Sequence, residues 1–313
     1  MPELPEVTTT VNGLQKVLPR LRIKDVWTDL AKNTVSRKDF LHTIKSKKFF
    51  ENFKKETIGK KILKVERRAK NILIYIEGGK IILIHMKMTG CLFYDVKNPK
   101  FVHFTITLTS PTTTLTPPLT PPQSIGEGLH TLAFSDMRKF GKITLVDKNT
   151  MNESIHLKNL GLEPLEKDFT FIKFKKVLED KIKRKNPKIG GSKIKSLLLD
   201  QSVVVGIGNI YSDEMLWLAD IHPESNFKKI PEKIQKKLFI SMQKVLNKGI
   251  DFGGDSMSDY LNVHGEKGDF QNHHNVYRKN KEKCGRKGCS GTIMRKVIGG
   301  RSAHFCPVHQ ILY

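Results

Sequence analysis

The sequence predicts an α+β protein in which an antiparallel β-sandwich comes first, a mainly helical domain follows and a metal-binding segment ends the chain. Three observations predict this order. Short β-rich runs separated by turn residues fill positions 61–94, helical patterns dominate after about position 150, and Cys and His residues cluster from position 284. A chain of 313 residues can hold two or three domains with a substantial core.

The N-terminal elements are predicted from the spacing of apolar residues. Residues 3–18 carry apolar side chains at steps of three and four, which mark one helix face: Leu4, Val7, Val11, Leu14 and Leu18. The runs KILKVE, NILIYIE, KIILIHM and GCLFY are typical of antiparallel sandwich strands. Two more strands, 103–108 and 130–134, flank a Thr/Pro/Gly segment at 109–128, which we expect to be a disordered insertion at a hairpin tip.

The second half of the chain changes to helical patterns, over 169–185, 194–199, 209–219 and 231–252. Beyond residue 253 the chain is polar and Gly-rich until the first Cys of the terminal cluster. We therefore expect a catalytic sandwich domain over 1–148, a helical domain over 149–265 and a terminal metal-binding domain over 266–313.

The charge of the chain favours a polyanionic partner. Lys and Arg outnumber Asp and Glu by 55 to 31, which gives a net charge of +24. The segment 173–195 contains ten Lys and Arg residues and only two acidic residues, Glu179 and Asp180. Such an excess of positive charge is typical of a phosphate-binding surface. The sequence has no 18-residue apolar run and no basic-then-apolar leader, so we expect an intracellular protein without a membrane partner.

Three of the four cysteines lie near the C-terminus in the pattern Cys284-x4-Cys289-x16-Cys306-x2-His309. Two close ligand pairs joined by a hairpin-length segment fit tetrahedral zinc, and four protein ligands indicate a structural metal. His304 is the alternative fourth ligand. It lies so close to Cys306 in the sequence that both side chains could not easily bind the same metal ion. The sequence therefore predicts one structural Zn²⁺.

The first residues, Met1-Pro2-Glu3, suggest a nucleophile. Removal of Met1 would expose the secondary amine of Pro2, and an α-amino group has a pKa of about 8, so part of it is unprotonated near neutral pH. Condensation with an aldehyde-level carbon would give an iminium that acidifies the neighbouring carbon and permits elimination. The alternative is an ordinary helix start, since Pro and Glu are both favoured in a first turn.

Two further segments indicate phosphate binding. Val205–Tyr211 (VGIGNIY) places small residues and a predicted Asn209 N-cap at a helix start, where backbone N–H groups can bind phosphate, although Asn209 could equally be only a cap. The turn Gly299-Gly300-Arg301-Ser302 would present Arg301 outward, either to a phosphate or simply to solvent.

Taken together, the motifs resemble the bacterial formamidopyrimidine-DNA glycosylase family from end to end. The resemblance is carried by their order and spacing: PELPEV at 2–7, RRAK at 67–70, HMKMTG at 85–90, DMRKFG at 136–141, NLGLEPL at 159–165, LLLDQSVVVGIGNIYSDE at 197–214, GEKGDFQ at 265–271 and the Cys/His cluster. It implies a β-sandwich with flanking helices, a helix-two-turn-helix domain and a β-hairpin zinc finger. The implied partner is double-stranded DNA containing damaged bases or abasic sites.

The resemblance also implies the activity, a glycosylase and abasic-site lyase of base excision repair that removes oxidised purines such as 8-oxoguanine. Pro2 would be the nucleophile and Glu3 the acid that protonates the opening sugar ring. Lys70 would contact phosphate and assist proton transfer, and Arg301 would grip phosphate during elimination. We expect a monomer in the bacterial cytoplasm, associated with the nucleoid.

Family members also fill the gap that a flipped base leaves and hold the phosphates beside it. Three residues align with those that family members insert into the base stack: Met88, Arg138 and Phe140. The family's DNA contacts further match His103, Lys195, Asn209 and Tyr211. The stretch 253–275 resembles the loop that covers the flipped base.

Several positions depart from the family pattern. His309 stands for a cysteine, and the first cysteine pair is spaced by four residues rather than two. Phe101 replaces the first His of a KHxH motif, and Ser258 and Gly191 stand where basic residues are usual. Two alternative functions are an endonuclease VIII-type glycosylase for oxidised pyrimidines and a non-catalytic zinc-finger DNA-binding protein. The retention of Pro2, Glu3 and Lys70 disfavours the second.

Overall fold

The structure is a computed structural model of the full chain and describes residues 1–35, 37–110, 128–184 and 193–313. Most of the predicted insertion at 109–128, Gly191 and part of the basic block at 173–195 lie outside the described residues. Two compact units are present. Unit 1 comprises 1–2, 6–158 and 255–268, and unit 2 comprises 3–5, 159–254 and 269–313. Each is described by itself.

Unit 1 is built on two four-stranded antiparallel sheets with the strand orders β1-β6-β7-β5 and β2-β3-β4-β8. The strands are β1 (Arg22–Thr28), β2 (Ile62–Arg68), β3 (Asn71–Ile76), β4 (Lys80–His85), β5 (Gly90–Tyr94), β6 (Val102–Thr109), β7 (Leu129–Asp136) and β8 (Lys142–Asp147). Apolar residues from both sheets share one core, which includes Ile72, Ile82, Leu92 and Phe134. The predicted antiparallel sandwich is therefore confirmed.

Two helices belong to this part of the chain, α1 (Leu4–Val17) and α2 (Lys47–Thr57). The predicted helix at 3–18 corresponds to α1, and its apolar stripe lies in the cores as the spacing requires. The sequence did not predict three elements of this unit: strands β1 and β8 and helix α2. β1 buries only Ile23 and Val26 and exposes charged residues between them, so its alternation is weak in the sequence.

The strands that flank the predicted insertion pair directly. β6 and β7 are antiparallel neighbours, and Thr109 at the end of β6 lies opposite Leu129 at the start of β7. The segment between them therefore joins two adjacent strands, as expected for an insertion in a hairpin.

Unit 2 contains four helices and one hairpin within its described residues: α3 (Phe171–Arg184), α4 (Ile194–Leu198), α5 (Asn209–Leu218), α6 (Glu232–Asp251), β9 (Met294–Ile298) and β10 (Arg301–Phe305). The four predicted helices are confirmed to within about two residues at their ends. A Phe-rich core joins the helices, with Phe174 packed edge-on against Phe169 and Phe227. Among the described residues, no helix is both long enough and apolar enough to cross a membrane.

Candidate active site

The N-terminal segment places a carboxylate on the start of helix α5. Glu3 is 2% exposed, and its Oε2 accepts a hydrogen bond from the N–H of Gly208 at 2.7 Å while Oε1 accepts one from Ile210 at 3.0 Å. The N–H of Tyr211 lies 3.4 Å from Oε2. These donors and the positive end of the helix stabilise negative charge on Glu3, which is joined directly to the buried Pro2.

Two glycines make room for this segment. The N–H of Leu4 donates to Gly206 O at 2.9 Å, and Gly206 has a φ of +84°, a conformation that favours glycine. A Cβ on Gly208 would lie 2.3 Å from the carboxyl carbon of Glu3. The small residues of this turn therefore let the chain start approach the helix.

This arrangement corrects one prediction. The N-cap of α5 is Gly208, and Asn209 is the first helical residue rather than the cap. The first amides of the helix bind the Glu3 carboxylate, so the anion at this helix start belongs to the chain itself. The sequence could not show this, because residues 3 and 208 are far apart along the chain.

An arginine-lined cleft of about 670 Å³ lies in unit 2. Arg301 begins strand β10, directly after Gly299 and Gly300, whose φ angles of +58° and +75° form the tight turn predicted at the hairpin tip. The lining includes Asn209, Tyr277, Arg278, Arg295, Arg301 and Ser302. Three guanidinium groups with amide and hydroxyl groups between them suit a phosphate-bearing ligand.

Lys195, which was predicted to hold a phosphate, lies beneath this region rather than on it. Its side chain is fully buried and forms an ion pair with the equally buried Asp213. Burial lowers the pKa of Lys195, and the charge of Asp213 opposes that shift. The ammonium group has no exposed surface in this structure, so the phosphate contact of Lys195 stays a prediction that requires the group to become exposed.

Tyr211, which was also predicted to hold a phosphate, is buried as well. Its side chain is 0% exposed and its ring stacks on Phe270 with centroids 5.0 Å apart. Tyr277, which the sequence analysis did not single out, lines the cleft instead. The only sequence signal for Tyr277 is an aromatic residue among basic ones shortly before the first cysteine of the cluster.

Two adjacent acids of α5 hold the hairpin and Tyr277 in place. Asp213 Oδ2 accepts hydrogen bonds from the backbone N–H of His304 at 2.9 Å and pairs with its Nδ1 at 3.1 Å. Glu214 Oε1 accepts the N–H groups of Val276 and Tyr277, both at 2.9 Å. The acids Asp213 and Glu214 therefore fix the segments that carry Tyr277 and Arg301.

In unit 1, the three residues predicted to fill the gap in DNA come together and are called the wedge residues: Met88, Arg138 and Phe140. Arg138 Nη1 lies 3.4 Å from Met88 Sδ, and its guanidinium carbon lies 4.7 Å from the centre of the Phe140 ring. Met88 is 41% and Phe140 42% exposed. The wedge residues thus form an exposed cluster of two apolar side chains and one guanidinium group.

Lys70 follows Ala69, which has a φ of +55°, at the tip of the β2–β3 hairpin, and Lys70 is 6% exposed. His85, at the end of β4, was not predicted as a site residue although it opens the HMKMTG motif. Burial, and then the charges of Lys87 and Lys70, hold the pKa of His85 well below its usual value, so the imidazole is neutral at pH 7.

His103 and Phe101 lie in the turn and strand that resemble the KHxH motif. The Nδ1 of His103 pairs with the Asp29 carboxylate at 2.9 Å, and His103 is 7% exposed. Phe101 is 55% exposed with a φ of +56°, so an aromatic ring stands at the surface there. Ser258 and Phe101 both line a cavity of about 470 Å³ in unit 1.

The predicted metal ligands converge in unit 2. One ligand atom from each of Cys284, Cys289, Cys306 and His309 lies within 4.8 Å of the others. Cys284 Sγ is 3.3 Å from His309 Nδ1, and His309 Nε2 lies 3.3 Å from Trp217 O, which orients the ring with Nδ1 towards the sulfurs. His304 is bound to Asp213 instead, so the geometry selects His309 as the fourth ligand.

Comparison with known proteins gives the family. The model of the formamidopyrimidine-DNA glycosylase N-terminal domain matches residues 1–143, and the model of the formamidopyrimidine-DNA glycosylase H2TH domain matches residues 160–260. A formamidopyrimidine-DNA glycosylase of Pelotomaculum thermopropionicum is 35% identical, covering 99% of each chain. The chain belongs to the formamidopyrimidine-DNA glycosylase family. The expected helix-two-turn-helix domain is thereby confirmed.

Further relatives agree. A formamidopyrimidine-DNA glycosylase of Heliobacterium modesticaldum is 32% identical over 98% of this chain and 99% of its own length. Among solved structures, the Lactococcus lactis Fpg in complex with abasic-site-containing DNA aligns with a TM-score of 0.79 at 30% identity, over 98% of this chain and 99% of the other. The complex of that protein with N7-benzyl-Fapy-dG-containing DNA aligns with a TM-score of 0.78 at 31% identity, over 99% of both chains.

Proposed function

We propose that this chain is a DNA glycosylase and abasic-site lyase of base excision repair, acting on oxidised purines in double-stranded DNA. The observation that carries the proposal is the arginine-lined cleft of unit 2, in a family whose solved members include complexes with abasic and damaged DNA. The net charge of +24 supplies long-range attraction to the duplex.

Pro2 is the proposed nucleophile. After removal of Met1, its nitrogen would attack C1′ of the damaged nucleotide while the C1′–N bond breaks. The base takes the electron pair of that bond and leaves with the proton that the Pro2 nitrogen gives up. Opening of the sugar ring then gives an iminium between Pro2 and C1′. Loss of a C2′ proton expels the 3′ phosphate, a second elimination expels the 5′ phosphate, and water releases the sugar fragment from Pro2.

The roles of the other proposed catalytic residues are assigned from their charge and their position in the structure. Glu3 is assigned the proton transfer to the sugar oxygen, and the helix amides that bind its carboxylate fix its position beside Pro2. Arg301 would hold a phosphate of the lesion strand and favour its departure as an anion. Lys70 is proposed to contact a phosphate and to relay a proton during elimination.

The wedge residues support the extrusion of the base. Their exposure and mutual contacts suit insertion into the stack, where Phe140 and Met88 would replace the lost stacking and Arg138 would hydrogen-bond the unpaired cytosine. Extrusion costs a few kcal/mol, which such a filler offsets. Asn209, Tyr277 and His103 are proposed as further contacts to the DNA.

Zinc is the proposed metal. Three thiolates and one imidazole nitrogen match its usual structural coordination: Cys284, Cys289, Cys306 and His309. When bound, zinc would stabilise the fold of the finger and take no part in the reaction. Its role would be to keep Arg301 at the edge of the cleft.

The proposal is tested by comparing single-turnover release of 8-oxoguanine opposite cytosine with release of thymine glycol, for the wild-type chain and the Pro2→Gly variant. We expect faster release of the purine, and strand cleavage that disappears in Pro2→Gly. Preference for thymine glycol would favour an endonuclease VIII-type activity, and DNA binding without base release would favour a non-catalytic protein.

A further inference from the structure

One buried carboxylate holds both of the loops that carry the wedge residues. Asp136, at the end of β7, is 1% exposed. Its Oδ1 accepts a hydrogen bond from Thr89 Oγ1 at 2.5 Å, and its Oδ2 accepts one from the N–H of Gly141 at 2.6 Å. The N–H of Arg138 lies 3.3 Å from Oδ1 and 3.2 Å from Thr89 Oγ1. Asp136 therefore contacts Arg138 itself and the residue that follows each of the other two wedge residues.

The two loops need such a restraint because their own backbone is strained. Lys87 and Lys139, each adjacent to a wedge residue, have φ angles of +58° and +55°, a region that residues with side chains rarely adopt. The loop that carries Met88 is also tightly closed on itself. A Cβ on Gly90 would lie 2.4 Å from Met86 O. Other interactions must hold these conformations, and Asp136 supplies three of them: two within its own loop, to Arg138 and Gly141, and one to Thr89 of the other loop.

We propose that Asp136 is a positioning residue that sets the geometry of the wedge and, through Arg138, the preference for the base opposite the lesion. This inference rests on the proposed function. Because Asp136 is buried, it acts through its neighbours and not by contact with DNA. A small displacement of Arg138 would misalign its hydrogen bonds to the unpaired cytosine, whereas the chemistry at Pro2 would be unaffected.

The test uses the full-length protein and two variants. Asp136→Asn keeps the volume but replaces one acceptor oxygen with an NH₂ group, which removes an acceptor either for the N–H of Gly141 or for the N–H of Arg138. Thr89→Val removes the hydroxyl and leaves Asp136 intact. Asp147→Asn is the matched control, since Asp147 is also a carboxylate at a strand end of unit 1 but is partly exposed and paired with Lys80 at 3.5 Å.

Three rates are measured under single-turnover conditions: excision of 8-oxoguanine opposite cytosine, its excision opposite adenine, and cleavage of a preformed abasic site. We expect both variants to lose about tenfold in excision opposite cytosine, with a smaller preference for cytosine over adenine. Cleavage of the abasic site should stay within about twofold of wild type, because no base must be extruded. A 2-aminopurine beside the lesion should report slower unstacking.

Unchanged excision and unchanged preference in both variants would overturn the inference. Equal losses in excision and in abasic-site cleavage would also overturn it, because they would indicate general damage to the fold. If Asp136→Asn does not fold, Thr89→Val decides by the same criteria. An inactive wild-type protein would instead contradict the proposed function, so the two failures are distinguishable.

Discussion

The carboxylate of Glu3 accepts a hydrogen bond from the backbone N–H of Gly208 at 2.7 Å. The contact joins the first residues of the chain to the start of helix α5, which also bears Asn209 at the arginine-lined cleft. A helix N-terminus would otherwise attract a ligand anion. Here the first amides of the helix bind the carboxylate of the residue that follows the proposed nucleophile.

Substitution of Gly208 with alanine tests this relationship. The new Cβ would lie 2.3 Å from the carboxyl carbon of Glu3 and would displace it. We expect a loss of about hundredfold in single-turnover base release, the effect of moving a catalytic group by about 1 Å. Gly285→Ala is the control, because its Cβ would meet nothing within 4 Å. Comparable activity of the two variants would show that the Glu3 contact is dispensable.

Arg301 should act as a phosphate ligand. Replacement with alanine is expected to weaken binding to abasic-site DNA and to reduce the slope of log K against log salt concentration by about 1. Arg301→Lys should restore the slope but only part of the lyase rate, because an ammonium group cannot bind phosphate through two parallel bonds. Fluorescence anisotropy at several salt concentrations measures the slope. A slope unaltered in Arg301→Ala would place the residue outside the DNA contact.

The choice between the two histidines of the finger is also testable. His309→Ala should reduce bound zinc, whereas His304→Ala should keep the metal and loosen the hairpin that His304 ties to Asp213. His309→Cys should retain zinc, since thiolate is an equally good ligand. Metal content of the purified proteins by mass spectrometry gives the answer. Zinc loss in His304→Ala with full retention in His309→Ala would reverse the assignment.

Lys195 should matter for stability rather than for phosphate contact. Lys195→Met leaves Asp213 buried without its main partner, and breaking a fully buried pair costs about 3–5 kcal/mol. Urea unfolding measures the loss. Lys173→Met, which breaks an exposed pair with Asp168, should change stability little. A stable Lys195→Met protein with a reduced salt slope of DNA binding would restore the predicted phosphate contact.

Much of the fold could be predicted because its strands and helices carry strong local patterns. β3 and β4 are apolar runs rich in isoleucine, and α6 repeats its apolar residues at helical spacing. β1 was missed because exposed charged residues separate its two buried ones, and β8 was missed although its centre, ITLV, is typical of a strand. The metal ligands, His309 among them, were predicted from short spacings, and the contact between His304 and Asp213 agrees with the choice of His309.

The site could be predicted only where a motif carries it. Pro2, Glu3, Lys70 and Arg301 follow from the resemblance, whereas the supporting contacts pair residues distant in sequence. The Asp213 contact with His304 and the Asp136 contact with Thr89 leave no periodicity or spacing to detect. Burial is equally invisible to motifs, which is why Lys195 and Tyr211 were predicted as surface contacts.

The most direct measurement is borohydride reduction of the wild-type protein mixed with 8-oxoguanine duplex DNA, followed by mass spectrometry of the proteolysed adduct. We expect Met1 to be absent and the sugar remnant to be attached to the nitrogen of Pro2. A chain with an uncleaved N-terminal tag should give no adduct. Attachment to a lysine, or no adduct with the untagged protein, would contradict the assignment of Pro2 as the nucleophile.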